Sequence, residues 1–290
     1  MSDGFGNSPK VTFTRNGQSL ELGRSHEDII HLHGTTGLGL PPVEIAKSAR
    51  IGGDGSIKRG VRYGDREVFL PIAIFKNTEA ELTKTRRDLM RLLDPRQGDV
   101  TITVEDPPTG FKRSIKGTYT KGLEGDFGDT FRRHWQTLGL YFECDDPWWL
   151  GEEQTIELRI NPGTKPFISE TVPFFPIVLT QSAAAGTFNI TITGDDAVAP
   201  VWEFIGQGTD PTLTLADSSF SLNTTLKEGE KVTLDMKTGI MTPNRWADAP
   251  FTAKTFKLQP GKNTLTATMV EASTASLIRG TYRERFVEAI

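Results

Sequence analysis

With Cys144 its single cysteine in 290 residues, the chain cannot build an internal disulfide framework. Packing and backbone ladders must hold the fold, which suits a reducing cytoplasm. No run approaches the ~18 apolar residues of a membrane-spanning helix. The opening MSDGFGNSPK has acid, glycine and proline where a secretion signal needs a basic start and an apolar run. Neither an export signal nor a membrane partner is expected. An excess of positive charge is also missing: 33 basic against 37 acidic side chains give a formal charge of -4. That balance offers no footprint for a phosphate backbone, so sequence-specific nucleic acid is not an expected partner.

What is present describes a folded chain. The hydrophobic share is only 36%, but 24% charged residues of mixed sign with 17 Phe and 5 Trp is far from a disordered composition. At this length two domains are expected, each able to bury its own core.

Along the chain, strand signals dominate. Alternation from Val11 to Leu22 is broken by Asn16-Gly17, the pair suited to positive φ at both centres of a type I′ turn, and predicts a β-hairpin. Gly and Pro crowd the next stretch, HLHGTTGLGLPPVEIAKSARIGGDGSIKRG, which predicts a long loop with one short strand at Val43 to Ala46. Between Val61 and Phe75, YGDREVFLPIAIF suits a strand partly buried on both faces, with Pro71 marking a bulge or an edge.

One strong helix is predicted over Glu79 to Leu93. Thr78 can cap it with Glu81 three residues on, Leu82, Leu89 and Leu93 share a face, and Arg86, Arg87 and Arg91 stay solvated. The period then falls to two in VTITVED, in FKRSIKGTYT after the turn Pro107-Pro108-Thr109-Gly110, and in WQTLGLYFEC. Asp145-Asp146-Pro147-Trp148-Trp149 closes this half, its two indoles offering an anchor on a neighbouring surface, and the domain boundary is placed between residues 152 and 153.

From Gln154 onward no helical run is expected. TIELRI, FPIVLT, TFNITIT, PVWEFIG, TLTLA, KVTLDM, TAKTFKL, NTLTATMV and SLIRGTYRERF read as short strands of a β-sandwich or jelly roll. No fixed-period repeat points to a solenoid or propeller.

Several of these segments, in order, resemble siphovirus distal tail proteins: YGDREVFLPIAIF, ELTKTRRDLMRLLDP, FECDDPWW, PVWEFIGQGTDPTLTL, LKEGEKVTLDMKTGIM, KLQPGKNTL and TYRERF. The resemblance covers most of residues 57 to 290. It implies a mainly β chain with a tail-tube-like, ring-forming domain at 1–152 carrying one packed helix, and a galectin-like sandwich at 153–290. It further implies a structural, non-enzymatic subunit of a homohexameric ring at the distal end of the phage tail, assembled in the host cytoplasm. The implied partners are other copies of the chain, the tail tube protein, a tail-tip hub or tail-associated protein, and receptor-binding proteins.

The candidate chemical sites are weak beside this reading. His31 and His33, with His26 and Asp28 nearby, offer imidazole and carboxylate ligands to zinc, but nothing completes a tetrahedral set, and polar loop histidines are the better account. Cys144 and His134 lie ten positions apart without a glycine-rich oxyanion segment, so Cys144 reads as a buried strand cysteine. Glu124, Asp126 and Asp129 alternate with glycine but lack the register of a calcium loop and read as hairpin residues. Gly52-Gly53-Asp54-Gly55 lacks the Lys and Ser/Thr that hold phosphate and magnesium, and reads as a flexible loop.

Asp145-Asp146 and Asp195-Asp196 are adjacent acids that cannot flank a glycosidic bond, and read as turns. No catalytic residue, metal or cofactor is assigned. An alternative role, a carbohydrate-binding adsorption module, rests on Trp246 with Asn244 and Arg245 in a loop bounded by proline, while Trp202, in an alternating strand, is expected in the core.

Overall fold

A computed structural model describes residues 9–23, 28–125, 134–159, 183–273 and 275–290. The chain is mainly β and divides into two compact units, Met1–Gly151 with Phe286–Ile290, and Glu152–Arg285.

In the first unit β1 (Lys10–Arg15) and β2 (Gln18–Leu22) form the expected hairpin, with positive φ at Asn16 and Gly17 (49° and 77°). Alternation along β1 buries Val11 and Phe13. β3 (Ile29–His31) follows, then β4 (Val43–Ala49), β5 (Ser56–Tyr63) and β6 (Arg66–Phe75). Two expectations change here. The Gly-rich stretch is not a loop with one short strand: β4 runs on to Ala49 and pairs antiparallel with β5 through seven residue pairs. Its glycines mark the reversal, where Gly52 and Gly55 take φ of 76° and 88°, rather than the whole segment.

The single strand expected over Val61 to Phe75 is likewise two, parted at Gly64-Asp65. There the Gly64 N–H donates to the Pro42 carbonyl, and a Cβ would sit 2.9 Å from Glu44 Oε1. Pro71 marks no bulge. Register between β6 and β9 (Trp135–Cys144) is unbroken from Arg66↔Cys144 to Phe75↔Trp135. The Pro71 carbonyl points to the other flank, where it accepts the Leu32 N–H at 2.8 Å, so its missing donor costs no bond to β9.

α1 (Glu79–Leu93) has the predicted capping box of Thr78 and Glu81, and buries Leu82, Leu89, Leu92 and Leu93. Its C-terminus has a partner that sequence reading missed. Arg15 of β1 donates to the carbonyls of Arg91, Asp94 and Gly98, placing a cation where the helix dipole is negative. β7 (Val100–Glu105) lies between β1 and β8 (Lys112–Lys121); β8 pairs with β7 along its first half and with β9 along its second. The core gathers Val68, Leu70, Ile72 and Ile74 of β6, Ile102 and Val104 of β7, Leu140 and Phe142 of β9, and the leucines of α1.

Trp149, fully buried, opens β10 (Trp149–Arg159), which continues into the second unit. That unit adds β11 (Ala183–Ile192), β12 (Val201–Ile205), β13 (Gly208–Leu215), β14 (Ser218–Ser221), β15 (Thr225–Leu226), β16 (Lys231–Asp235), β17 (Met241–Thr242), β18 (Gly261–Val270) and β19 (Leu277–Phe286). One sheet runs β17-β16-β12-β19-β10; the other runs β11-β18-β13-β14, with β15 on β13. Inward residues of both, among them Trp202, Phe204 and Val232 from the first and Leu213, Phe220, Leu265 and Met269 from the second, share one core. TAKTFKL forms no strand; only Leu258 bridges, to Val198. FPIVLT lies outside the described residues. The helical content of the described part of this unit is one 3-10 turn at Trp246–Asp248.

Candidate assembly surface

β4 and β5 form a two-stranded sheet of their own, with all but one of their fifteen residues exposed. Alternation places Val43 opposite Tyr63 and Ile45 opposite Val61, so four apolar side chains share one face, each more than a third exposed. Further along, the bulge between Ala46 and Lys47 sets Lys47 opposite Lys58. The other face carries the ion pair Glu44–Arg62 at 2.6 Å, and Arg59 donates to Ser48 Oγ at 2.8 Å. Residues 43–63 hold five basic and two acidic side chains, a local charge of +3 in a chain whose total is -4. A two-stranded hairpin in water is marginal by itself, and apolar side chains on it gain nothing until something covers them.

The base of this hairpin is held by a ring contact and a backbone hydrogen bond. Tyr63 meets the Trp148 ring edge-on at 5.4 Å, and Gly64 is bonded to Pro42. Beside it Arg66, 1% exposed, lies over the Trp149 ring at 5.9 Å and donates its guanidinium hydrogens to main-chain carbonyls: Pro147 at 2.7 Å, Gly37 at 2.6 Å, Gly39, and Val287 at 2.8 Å. Burial lowers its pKa, and the neighbouring Cys144 thiol is pushed up to about 12 by its own burial. The returning C-terminal residues are fastened nearby: Arg113 donates to the Glu288 carbonyl and lies 3.8 Å over the Phe286 ring, and the Ala289 N–H donates to Leu38.

The chemical candidates do not converge. His31 stands on β3 rather than in a loop, bonded through Nε2 to Thr35 Oγ1, and burial lowers its pKa. Asp28 pairs with Lys76, and His26 lies outside the described residues. Cys144 and His134 are at opposite ends of β9, about 30 Å of extended chain. Glu124 accepts the Gly122 N–H at 2.7 Å, while Asp126 and Asp129 lie outside the described residues. Gly52-Gly53-Asp54-Gly55 is the hairpin turn, Asp196 pairs with Arg285 at 2.8 Å, and Asp145-Asp146 forms a bend. A cleft of about 870 Å³ between β2 and α1 has acids on its wall, but Glu21 pairs with Lys10, Asp28 with Lys76 and Asp88 with Arg91. Among the described residues no group of three or more His, Cys, Asp or Glu side chains is placed to hold a metal, and no helix is long and apolar enough to cross a membrane.

In the second unit Trp202 is fully buried. Trp246 is 37% exposed, with its indole N–H donated to the Gly239 carbonyl at 3.0 Å and its ring edge-on to Phe220 at 5.9 Å. Asn244 Oδ1 accepts the Trp246 N–H, and Arg245 is braced by Glu230, Asp248 and Thr224. The Trp246 indole N–H, the Asn244 carbonyl oxygen and the Arg245 guanidinium are engaged within the chain, leaving part of the indole face open.

A mainly β chain with a sandwich unit and a free-standing hairpin has counterparts among known proteins. Residues 193–286 match the family described as the siphovirus-type tail component, C-terminal domain. Over 95% of this chain and 99% of the other, the fold matches the crystal structure of the SPP1 phage protein Dit, described as a paradigm of the hub adsorption apparatus in phages infecting Gram-positive bacteria, with a TM-score of 0.65 and 19% identity. Chains of the phage P2 baseplate in its activated conformation with calcium, and of the p2 baseplate with strontium, match over 94% of this chain and 98% of theirs, with TM-scores of 0.54 and 0.52 and 8% identity. No curated protein matches the sequence. The similarity to phage hub and baseplate proteins supports a structural tail-tip component.

Proposed function

We propose that this protein is a non-enzymatic structural subunit of the phage tail tip, forming a homohexameric distal tail ring that joins the tail tube to the adsorption apparatus. The observation that carries the reading is the β4–β5 hairpin, whose apolar face is exposed on a single copy; packing on another copy would bury it. In this reading the first unit is the tail-tube-like, ring-forming domain and the second a galectin-like sandwich. The partners are the tail tube protein on one side, and a tail-tip hub or tail-associated protein with receptor-binding proteins on the other. The location is the distal end of the virion, reached after assembly in the host cytoplasm.

Mass measurement by light scattering across a concentration range, followed by negative-stain imaging, tests the ring. Six-fold particles at high concentration are expected. A chain that stays monomeric at every concentration and joins neither tube nor hub protein overturns the reading.

A further inference from the structure

The first unit carries a second run of like charges set opposite one another, of the other sign. Glu67 of β6 is paired in register with Glu143 of β9, both exposed, with exposed Asp65 and Asp145 beside them. Next along the same outward face lie Phe69 and Tyr141, their rings 4.5 Å apart, with Lys121 of β8 lying 4.1 Å over the Tyr141 ring. On the hairpin the order is the same with the sign reversed: the Lys47–Lys58 pair, then the apolar Ile45–Val61 and Val43–Tyr63 pairs. Like charges directly opposite across a ladder are unfavourable in an isolated sheet, and each pair is relieved by an opposite charge brought against it.

We infer that the apolar, lysine-bearing face of the β4–β5 hairpin docks on the outward β6–β9 face of a second copy of this chain, Lys47 and Lys58 meeting Glu67 and Glu143 while Ile45, Val61 and Tyr63 pack on Phe69, beside the Tyr141 ring that Lys121 already covers. This rests on the ring reading and names its contact surfaces. Charge argues for a second copy as the occupant. The hairpin has local charge +3, the rest of the chain therefore sums to -7, and the acids of the β6–β9 face are its counterpart. The two surfaces are different patches, so the contact is head-to-tail and repeats from copy to copy, as ring closure needs.

Two charge-reversed proteins test this, each confined to exposed side chains. Variant one carries Lys47→Glu and Lys58→Glu; variant two carries Glu67→Lys and Glu143→Lys. Each alone should show a several-fold loss of assembled mass in light scattering, because acid then faces acid or base faces base. Mixed in equal amounts they should regain most of the wild-type mass, since each hairpin now meets the opposite charge on the other protein, and the four-fold substituted chain should assemble by itself.

Unchanged melting curves of the two variants confirm that folding is intact. Assembly that persists in either variant, or variants that fail alone and also fail when mixed, overturns the docking surface while leaving the ring reading in place. A wild-type protein that never assembles overturns the ring reading itself.

Discussion

Arg66 donates to the main-chain carbonyl of Val287 at 2.8 Å, tying β6 to a residue 221 positions further along the chain. The same guanidinium holds the carbonyls of Gly37, Gly39 and Pro147, so one buried cation fastens four chain segments at the root of the β4–β5 hairpin.

Removing that cation leaves four carbonyls without their donor in a site water does not reach. Arg66→Ala should therefore destabilise the first unit by about 2–5 kcal/mol, read as a lower denaturant midpoint. Deleting residues 287–290 should also lower it, because a donor of Arg66 is then left without its acceptor. A midpoint within experimental scatter of wild type in both variants would show that the clasp carries no stability.

Leu89 is 1% exposed on the inner face of α1. Leu89→Asp places a carboxylate there without a partner and should cost about 3–5 kcal/mol, enough to unfold the first unit at moderate temperature. Leu89→Met, which keeps the volume, should fold normally. A stable Leu89→Asp protein would mean the helix turns another face inward.

Cys144 is fully buried at the end of β9, with its thiol pushed up to about 12, so it is protonated at neutral pH. A thiol reagent at pH 8 should label the native chain far more slowly than the chain in denaturant. Because the sequence has one cysteine, the label reports opening at this strand end alone. Rapid labelling of native protein would contradict the buried site.

His31 has its pKa lowered below 6.5 by burial, which means the folded chain binds fewer protons at this ring than the unfolded one. Its contribution is complete above pH 6.5 and is lost as pH falls from 6.5 through the lower folded value. The melting temperature should decline over that window before carboxylates titrate, and His31→Asn should flatten the slope. A chelator at neutral pH should leave the melting temperature of either protein unchanged. A large fall with chelator would reveal a structural metal.

Short-range signals carried much of this fold. Thr78 and Glu81 announce the start of α1, Asn16-Gly17 announces the first turn, and alternation in VTITVED, WQTLGLYFEC and KVTLDM announces strands, because caps, turns and pleats are satisfied by residues a few positions apart. The burial of Trp202 and Cys144 was legible for the same reason. The ordered segments from YGDREVFLPIAIF to TYRERF already carried the tail-protein resemblance.

The β4–β5 hairpin was not legible as a surface. Its glycines outweigh its alternating residues in any local window, and only cross-strand pairing shows Lys47 against Lys58 and the four apolar side chains on one open face. Arg15 on the helix carbonyls, Arg66 on Val287 and Glu67 opposite Glu143 are likewise meetings of residues 76 or more positions apart. Tertiary structure alone decided them, since a charge in an extended segment has no partner until folding carries distant backbone to it, and nothing in the neighbouring residues records which backbone that will be.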